Sequence, residues 1–350
     1  MTAEEQISKP TVLITGLNGY LAGRTAELAL QTGFRVRGTV RNQEAGLRTK
    51  KALCGLGYSA DDIEIVVVSD MCQRGALDRA FEGCYAILHL AFPIHEIWTV
   101  RPSEVMRVAL ESTESVLDSA TRAGRALQSF VLMSSTAAVF DMPFENKLYT
   151  ENDWNTTSEA IVHEQGDEAG GFHSYLASKT AAEKLFWKFR EERKPSFAMT
   201  SLLPTYFIGP PLIPWASADQ IPYSNSDFWK VVAGQEIPGP MMVYGDTIDI
   251  RDIARVSLWA AMNPGRADGE RFVCSSAVGG GQAIADILHK RMPSLKNIQV
   301  GEPGKGYAPD YKPQSAGFDG SKAVEFTGED WIPYEQSVVD MAQFLQRYLP

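Results

Sequence analysis

The sequence predicts an α/β protein in which helices cover both faces of a parallel β-sheet. Apolar runs and helical segments alternate regularly over the first 135 residues, which is the pattern of a doubly wound sheet. The predicted strands are unbroken apolar runs, as expected for strands that are buried on both faces. The first run, TVLIT at 11–15, leads directly into two glycines three residues apart, Gly16 and Gly19.

The elements of the N-terminal part follow in order from these patterns. Strands are predicted at residues 11–15, 34–40, 63–68, 85–91 and 129–135. The helices between them are predicted at residues 19–33, 42–56, 72–81 and 103–124, the last capped by Ser103 and closed by Gly124. A helix over 173–192 and a strand over 197–204 complete a Rossmann-type domain, which we place at residues 1–204.

The remainder, residues 205–350, is predicted to form a smaller region. Residues 205–240 are rich in proline and aromatic side chains, a composition typical of segments that surround an apolar pocket. Helices are predicted over 249–262 and 336–349, and segments around 241–262 are expected to return to the main sheet. We therefore expect this C-terminal region to supply most of the substrate-binding site.

The composition argues against several classes of function. The chain has 350 residues and a formal net charge of −10, which disfavours nucleic acid or an anionic membrane as its main partner. The most apolar stretch, Tyr85–Ile94, is too short to span a bilayer, and no secretory signal is visible. Four cysteines without a C-x-x-C pair and five scattered histidines predict no disulfide and no metal site. A small-molecule partner and a cytoplasmic location are therefore expected.

The glycine turn after the first strand is typical of a dinucleotide-binding site. In TGLNGYLA, Gly16 permits a tight turn, and Gly19 leaves room for a pyrophosphate against bare backbone. The helix that follows presents unpaired N–H groups and the positive end of its dipole. The residues expected to contact the cofactor here are Gly16, Asn18, Gly19, Tyr20 and Leu21.

The end of the second strand indicates which dinucleotide is bound. NAD sites place an acid there to accept from the ribose hydroxyls, but this strand ends between Arg37 and Arg41 without an acid. Arginine pairs with a 2′-phosphate, so NADP(H) is predicted, with Arg41 as the first ligand and Arg48 as the second. Arg37 lies mid-strand and is expected to face solvent. Asp70 and Met71, after the third strand, are expected at the adenine.

Tyr175 and Lys179 lie four residues apart on a predicted helix and therefore share one face. Reduction of a carbonyl by hydride needs a proton donor, and a tyrosine with its ordinary pKa of about 10 donates reluctantly at neutral pH. A neighbouring ammonium is expected to lower that pKa, and lysine is also long enough to reach the nicotinamide ribose. A hydroxyl at the end of the fifth strand, in LMSST, is expected to hold the carbonyl oxygen.

These motifs resemble the extended short-chain dehydrogenase/reductase family. TGLNGYLA matches its T-G-x-x-G-x-x-[AG] turn and YLASK its Y-x-x-x-K pair, and the similarity runs along most of the chain. Within the family the chain is most similar to the branch of plant dihydroflavonol reductases and fungal NADPH-dependent aldehyde and ketone reductases. The stretches that carry this resemblance are VRGTVRN, LMSSTAAVFDMPFEN, TENDWN and LPTYFIGPP.

The resemblance implies roles for individual residues. It assigns catalysis to Ser135, Tyr175 and Lys179, with the neighbouring Ser134 and Thr136 left open as alternatives to Ser135. The further residues that it places along the cofactor are Leu90, Ala91, Phe92, Pro204, Thr205 and Phe207. Phe92 departs from the family pattern, because many relatives carry a small residue at this position.

The predicted function is that of an NADPH-dependent carbonyl reductase, an oxidoreductase that transfers a hydride to a ketone or aldehyde and gives a chiral alcohol. Two alternatives stay open: an NAD-dependent nucleotide-sugar epimerase or dehydratase of the same fold, and a regulatory protein that senses NADP without turnover. A monomer or a homodimer is expected. The apolar substrate pocket is expected to contain Phe92, Trp98, Phe140, Phe172, Tyr206, Ile208 and Trp215.

Overall fold

The computed structural model describes residues 9–92, 99–239, 245–313 and 316–349. Within these ranges the chain forms twelve strands and twelve α-helices. The strands are β1 (Thr11–Thr15), β2 (Arg35–Val40), β3 (Ile63–Val67), β4 (Ala86–His89), β5 (Ser129–Met133), β6 (Leu148–Tyr149), β7 (Ala198–Pro204), β8 (Tyr206–Ile208), β9 (Asp246–Asp249), β10 (Arg271–Cys274), β11 (Ala277–Val278) and β12 (Gly317–Phe318). The helices are α1 (Tyr20–Gln31), α2 (Gln43–Gly55), α3 (Asp78–Phe81), α4 (Pro102–Arg122), α5 (Thr157–Gln165), α6 (Gly170–Arg193), α7 (Ser226–Val232), α8 (Ile250–Met262), α9 (Pro264–Ala267), α10 (Gly281–Arg291), α11 (Ser321–Thr327) and α12 (Tyr334–Leu345).

Seven of these strands form the central sheet, in the order β10-β7-β5-β4-β1-β2-β3. Every pairing in it is parallel. The strand order changes direction at β1, because β2 and β3 follow on one side of it and β4 and β5 on the other. The carboxyl ends of these strands therefore flank a switch point, where ligands of open α/β sheets bind. The predicted doubly wound Rossmann-type fold is confirmed.

Side chains alternate across β1 to build a core on each face of the sheet. Val12 and Ile14 pack on the side of α1 and α8, whereas Leu13 packs on the side of α4 and α6. All three are fully buried, which explains why the strand is an unbroken apolar run. None of the helices formed by the described residues is both long and apolar enough to cross a membrane.

Two predicted helices have different boundaries in the structure. The long helix α4 begins at Pro102 with Arg101 as its N-cap, because proline suits the first helical position, and Ser103 is therefore not the cap. The backbone N–H of Ser103 instead donates to Asp167 at 2.9 Å. Of the helix predicted over 72–81, only α3 at Asp78–Phe81 forms.

The C-terminal half returns to the main sheet through helix α8, within the predicted segment, and through strand β10, which was not predicted. The strand within 241–262, β9, joins β8 and β11 in a separate three-stranded sheet, and β10 is the strand that pairs with β7. The helix α8 does pack on the main sheet, through Ile253 and Val256. A second apolar core lies among α7, α10 and α12.

Asp246, at the start of β9, is a buried carboxylic acid in this second region. Its Oδ1 accepts from the backbone N–H of Phe318 at 3.3 Å and from the Ser275 hydroxyl at 3.4 Å. Burial raises the pKa of Asp246 to about 7, although these hydrogen bonds lower it. The group therefore titrates near neutral pH.

Candidate active site

The turn between β1 and α1 brings bare backbone to the switch point of the sheet. Gly16 has a φ of +69°, which favours glycine, and a Cβ at this position would lie 3.0 Å from the Cβ of Ala91. The N–H of Gly19 donates to the carbonyl of Gly16 at 2.8 Å and closes the turn. Gly19 is the N-cap of α1, so no side chain at this position covers the N–H groups at the start of the helix, which suits an anion.

A cavity of about 630 Å³ lies in front of this turn. It follows the carboxyl ends of β1 to β4, where a dinucleotide binds in this fold. The glycine cradle, the open helix start and the nearby arginine together fit an NADP(H) cofactor. The predicted cofactor residues that the structure brings together along this cavity are Gly16, Asn18, Gly19, Tyr20, Leu21, Arg41, Asp70, Met71, Leu90, Ala91, Phe92 and Phe207.

The three arginines near the end of β2 have different surroundings. Arg41 lines the cavity. Arg48, on α2, lines an adjoining cavity of about 370 Å³ beside the glycine turn and pairs with Glu44 at 3.4 Å. The expectation that Arg37 faces solvent is wrong, because its Nε pairs with Glu64 at 2.7 Å and its side chain is only 18% exposed. Arg37 thereby ties β2 to β3.

The far end of the cavity contains residues that the sequence motifs did not indicate. Arg107 and Glu111 of α4 line it together with Asp70. Arg107 is held by Glu104 at 2.6 Å and also pairs with Glu111. No local motif marks these positions, although the topology places the helix after β4 beside this edge of the sheet.

The predicted catalytic residues lie beyond β5, where Lys179 contacts Phe92 and Met133 of the cavity wall, but none of the three lines the cavity itself. The Ser135 hydroxyl lies near enough to Tyr175 to lower the pKa of its phenol, and it accepts from the N–H of Ala137 at 3.1 Å. The other two candidate hydroxyls are engaged elsewhere: Ser134 donates to Glu183 at 2.6 Å, and Thr136 donates to the carbonyl of Pro204 at 3.2 Å. Of the three hydroxyls, the structure places that of Ser135 against Tyr175.

The pKa of Tyr175 differs from the sequence-based expectation. Burial raises this pKa, and the hydrogen bond from Ser135 lowers it in part. The expected lowering of this pKa by Lys179 is wrong: burial removes Tyr175 from water and favours its neutral form, and Lys179 does not contribute to the shift. Burial lowers the pKa of Lys179 to about 8, and the Glu183 carboxylate raises it.

The Lys179 ammonium lies between the sheet and an aromatic ring. Its Nζ is 3.8 Å from the ring centroid of Phe92 and 3.5 Å from the carbonyl oxygen of Met133. The same Phe92 ring meets Tyr175 edge-on, with 6.4 Å between the ring centroids. Phe92 therefore contacts both members of the predicted Tyr–Lys pair.

A buried ionic cluster lies beneath the site and was not predicted. Glu183, one helical turn after Lys179, is fully buried and accepts from the Ser201 hydroxyl at 2.7 Å and from Arg271 at 2.8 Å. The guanidinium of Arg271 also stacks on Trp154 at 3.7 Å. The cluster joins α6 to β7 and β10 directly under the lysine. The described residues contain no group of three side chains suited to hold a metal ion.

Several residues predicted for the substrate pocket lie elsewhere. Phe140 is 0% exposed and stacks on Phe144 at 4.4 Å, so it belongs to an aromatic core cluster and not to a pocket. Ile208 is likewise buried, in the second core. Phe172 is partly buried against the cluster of Phe140.

The other predicted pocket residues lie nearer to the site or outside the described residues. Tyr206 interacts electrostatically with Tyr175. Trp215 lines the cavity beside the glycine turn, and its ring centroid is 5.6 Å from that of Tyr20. Trp98 lies outside the described residues.

Of the residues predicted along the cofactor at the end of β7 and after it, only Phe207 lines the cavity in front of the glycine turn. Pro204 ends β7, and Thr205 is buried, with its hydroxyl donating to the carbonyl of Cys274 at 3.3 Å. Neither Pro204 nor Thr205 lines the cavity in front of the glycine turn, in contrast to Phe207.

Helix α1 is bonded to the segment that follows β8. The Tyr20 hydroxyl donates to the carbonyl of Gly209 at 2.5 Å. Arg24 donates to the carbonyls of Pro210 at 2.9 Å and Pro211 at 3.2 Å. The helix at the glycine turn thus also fixes the start of the predicted substrate-binding segment.

Comparison with known proteins gives one family and a set of fungal relatives. The model of the NAD dependent epimerase/dehydratase family matches residues 12–275. An uncharacterized oxidoreductase of Schizosaccharomyces pombe is 33% identical over 303 residues, which cover 85% of this chain and 86% of that protein. The NADPH-dependent methylglyoxal reductase of Saccharomyces cerevisiae is 27% identical over 352 residues, which cover 97% of this chain and 98% of that protein.

The fold is also similar to that of a solved fungal enzyme. The crystal structure of yeast methylglyoxal/isovaleraldehyde reductase complexed with NADPH superposes with a TM-score of 0.82 at 26% identity, covering 97% of this chain and 98% of that one. The predicted resemblance to fungal NADPH-dependent reductases is confirmed.

Proposed function

The chain belongs to the NAD dependent epimerase/dehydratase family, and from this premise we propose that it reduces a ketone or aldehyde to an alcohol with Tyr175 as the proton donor. The chain is an oxidoreductase of the carbonyl-reducing class and its cofactor is NADP(H), as the NADPH-dependent relatives indicate. The observation that carries the finer proposal is that Tyr175 and the buried Lys179 lie against the same Phe92 ring, with the Ser135 hydroxyl near enough to Tyr175 to lower its pKa.

Each of the three side chains has a role that its surroundings support. Bound NADPH supplies the hydride. The raised pKa of Tyr175 keeps its phenol protonated at neutral pH, and the oxygen of a reduced carbonyl is a much stronger base than a phenolate, so the phenol donates its proton. Ser135 holds the carbonyl oxygen next to that phenol. Lys179 binds the nicotinamide ribose.

The alternatives have less support. An NAD-dependent epimerase is disfavoured because β2 ends without an acid and Arg41 lines the cavity. A protein that senses NADP without turnover has no need of Ser135 and Tyr175 in contact. We also propose that residues 1–204 bind NADP(H), since Phe207 alone among the described residues after 204 lines the cavity in front of the glycine turn, and that residues 205–350 mainly bind a small-molecule substrate.

The test is Tyr175→Phe, which keeps the ring and removes the proton donor. We expect NADPH to bind with unchanged affinity while NADPH oxidation falls roughly a hundredfold or more, the scale of a lost general acid. The substrates are a panel of aldehydes and ketones that includes methylglyoxal, and binding is followed by NADPH fluorescence. Tyr334→Phe is the matched control, because Tyr334 is a buried tyrosine of the second core. Turnover by Tyr175→Phe at the rate of that control would remove Tyr175 from the mechanism.

A further inference from the structure

Phe92 directly follows the end of the sheet beside the catalytic pair. It comes three residues after β4 ends, lines the cofactor cavity and is partly buried. Its ring face covers the Nζ of Lys179 at 3.8 Å, well within the 6 Å at which a cation is attracted to an aromatic ring. Its edge contact with Tyr175 fixes the ring from the other side.

The Lys179 ammonium is buried and makes one long hydrogen bond. The side chain is 7% exposed, and its hydrogen bond to Met133 is long, at 3.5 Å. Glu183 lies one turn further along α6, and its carboxylate is already engaged by Ser134, Ser201 and Arg271. An ammonium has three donors, so the Phe92 ring adds to the stabilisation that the Glu183 carboxylate gives this buried charge.

We propose that Phe92 is a positioning residue whose ring competes with the nicotinamide ribose for the Lys179 ammonium. The inference rests on the proposed function, in which Lys179 binds that ribose. A ribose hydroxyl and the ring cannot both lie against the same side of Nζ, so binding of the nicotinamide half displaces the ring. The ring therefore stabilises the position of the Lys179 ammonium before the cofactor binds, and at the same time it weakens cofactor binding at this end of the cavity.

Phe92 is expected to affect the binding of only the nicotinamide half of the cofactor. The adenine half binds near Asp70, Met71 and Arg41, whereas Phe92 lies at the other end beside Tyr175 and Lys179. Removal of the ring should strengthen the binding of NADPH but leave the binding of a ligand that contains only the adenine half unchanged. A purely structural role for Phe92 predicts no such difference.

The experiment measures the dissociation constants of NADPH and of 2′,5′-ADP for the wild-type chain, Phe92→Ala and Phe92→Leu. We expect Phe92→Ala to bind NADPH about three- to tenfold more tightly, within the range of a desolvated cation–π contact, with unchanged affinity for 2′,5′-ADP. Phe92→Leu keeps apolar bulk but has no π face, so a smaller gain is expected. Thermal unfolding of each variant shows whether it is folded.

The outcomes distinguish this inference from the proposed function. If both variants fold and bind NADPH no more tightly than the wild type, or if both ligands gain equally, the competition between ring and ribose is refuted. If NADPH binds no more tightly than 2′,5′-ADP to the wild-type chain and to both variants, Lys179 does not bind the ribose, and the proposed function fails at that step.

Discussion

The cofactor cavity and the C-terminal region beside it are built by different means. The cavity lies against a glycine turn, the start of α1 and the ends of four neighbouring parallel strands. The C-terminal region is held by side chains from segments far apart in sequence, such as Asp246 with Ser275 and with the backbone of Phe318. One region thus depends on local chain geometry and the other on tertiary contacts.

This difference predicts which substitutions should affect ligand binding and which should affect folding. A side chain added to the glycine turn acts on the ligand, because the strands beneath it are buried and independently paired. A change in a buried polar contact of the C-terminal region acts on folding, because its partners lose a hydrogen bond. Three substitutions test this separation.

The largest effect is expected for Gly19→Val. The backbone of Gly19 has φ −74° and ψ 165°, which valine adopts readily, although its Cβ would lie 3.1 Å from the Gly16 carbonyl oxygen. The methyl groups occupy space that pyrophosphate oxygens need, and loss of one or two charge-assisted hydrogen bonds weakens NADPH binding roughly a hundredfold. The measurement is NADPH titration by fluorescence, with thermal unfolding alongside.

The matched control for that substitution is Gly55→Val. Gly55 ends α2, and a Cβ there meets no atom within 4 Å. It should leave NADPH affinity unchanged. Equal NADPH affinity in Gly19→Val and Gly55→Val, both folded, would show that the turn bends the chain and does not bind phosphate.

Arg41→Ala is expected to have the next largest effect. It should raise the KM for NADPH about ten- to hundredfold, the value of a charge-assisted phosphate contact, and change the KM for NADH little. Arg48→Ala is the comparison, with a smaller effect expected because this side chain is 68% exposed and lies in the adjoining cavity. An identical change for both cofactors would mean that Arg41 does not recognise the 2′-phosphate.

Asp246→Asn is expected to change stability alone, with no effect on NADPH binding. The folded-state pKa of Asp246 is raised to about 7 from 3.8, so its contribution to stability is full below pH 4 and is lost as the pH rises to about 7. The loss is on the order of 2–4 kcal/mol. Asparagine cannot ionise, so the Tm of Asp246→Asn should fall less between pH 4 and 7 than that of the wild type, at unchanged NADPH affinity. Parallel Tm curves would contradict the assignment.

The same contrast explains what could be predicted from the sequence. β1, the glycine turn and the Tyr175–Lys179 pair were predictable because each depends on a few consecutive residues and one repeat distance. The fold class followed from the alternation of such elements. The strand β10 was missed, since RFVC is short and its pairing with β7 is a long-range contact.

The missed features of the site are those made by burial and by long-range partners. Nothing in the local sequence shows that Phe140 stacks on Phe144, that Arg37 pairs with Glu64, or that Glu183 meets Arg271. The pKa of Tyr175 was predicted in the wrong direction for the same reason, because spacing places Lys179 nearby but does not report how dry the site is.

The bonds from α1 to the segment after β8 have a consequence for how this protein can diversify. The side chains of Tyr20 and Arg24 donate hydrogen bonds to the carbonyl oxygens of residues 209, 210 and 211. Every residue has a backbone carbonyl oxygen, so these hydrogen bonds do not depend on which side chains the segment carries. Mutation, in nature or in a library, can therefore vary the chemistry of this wall one residue at a time while the same two side chains keep it docked on the cofactor helix.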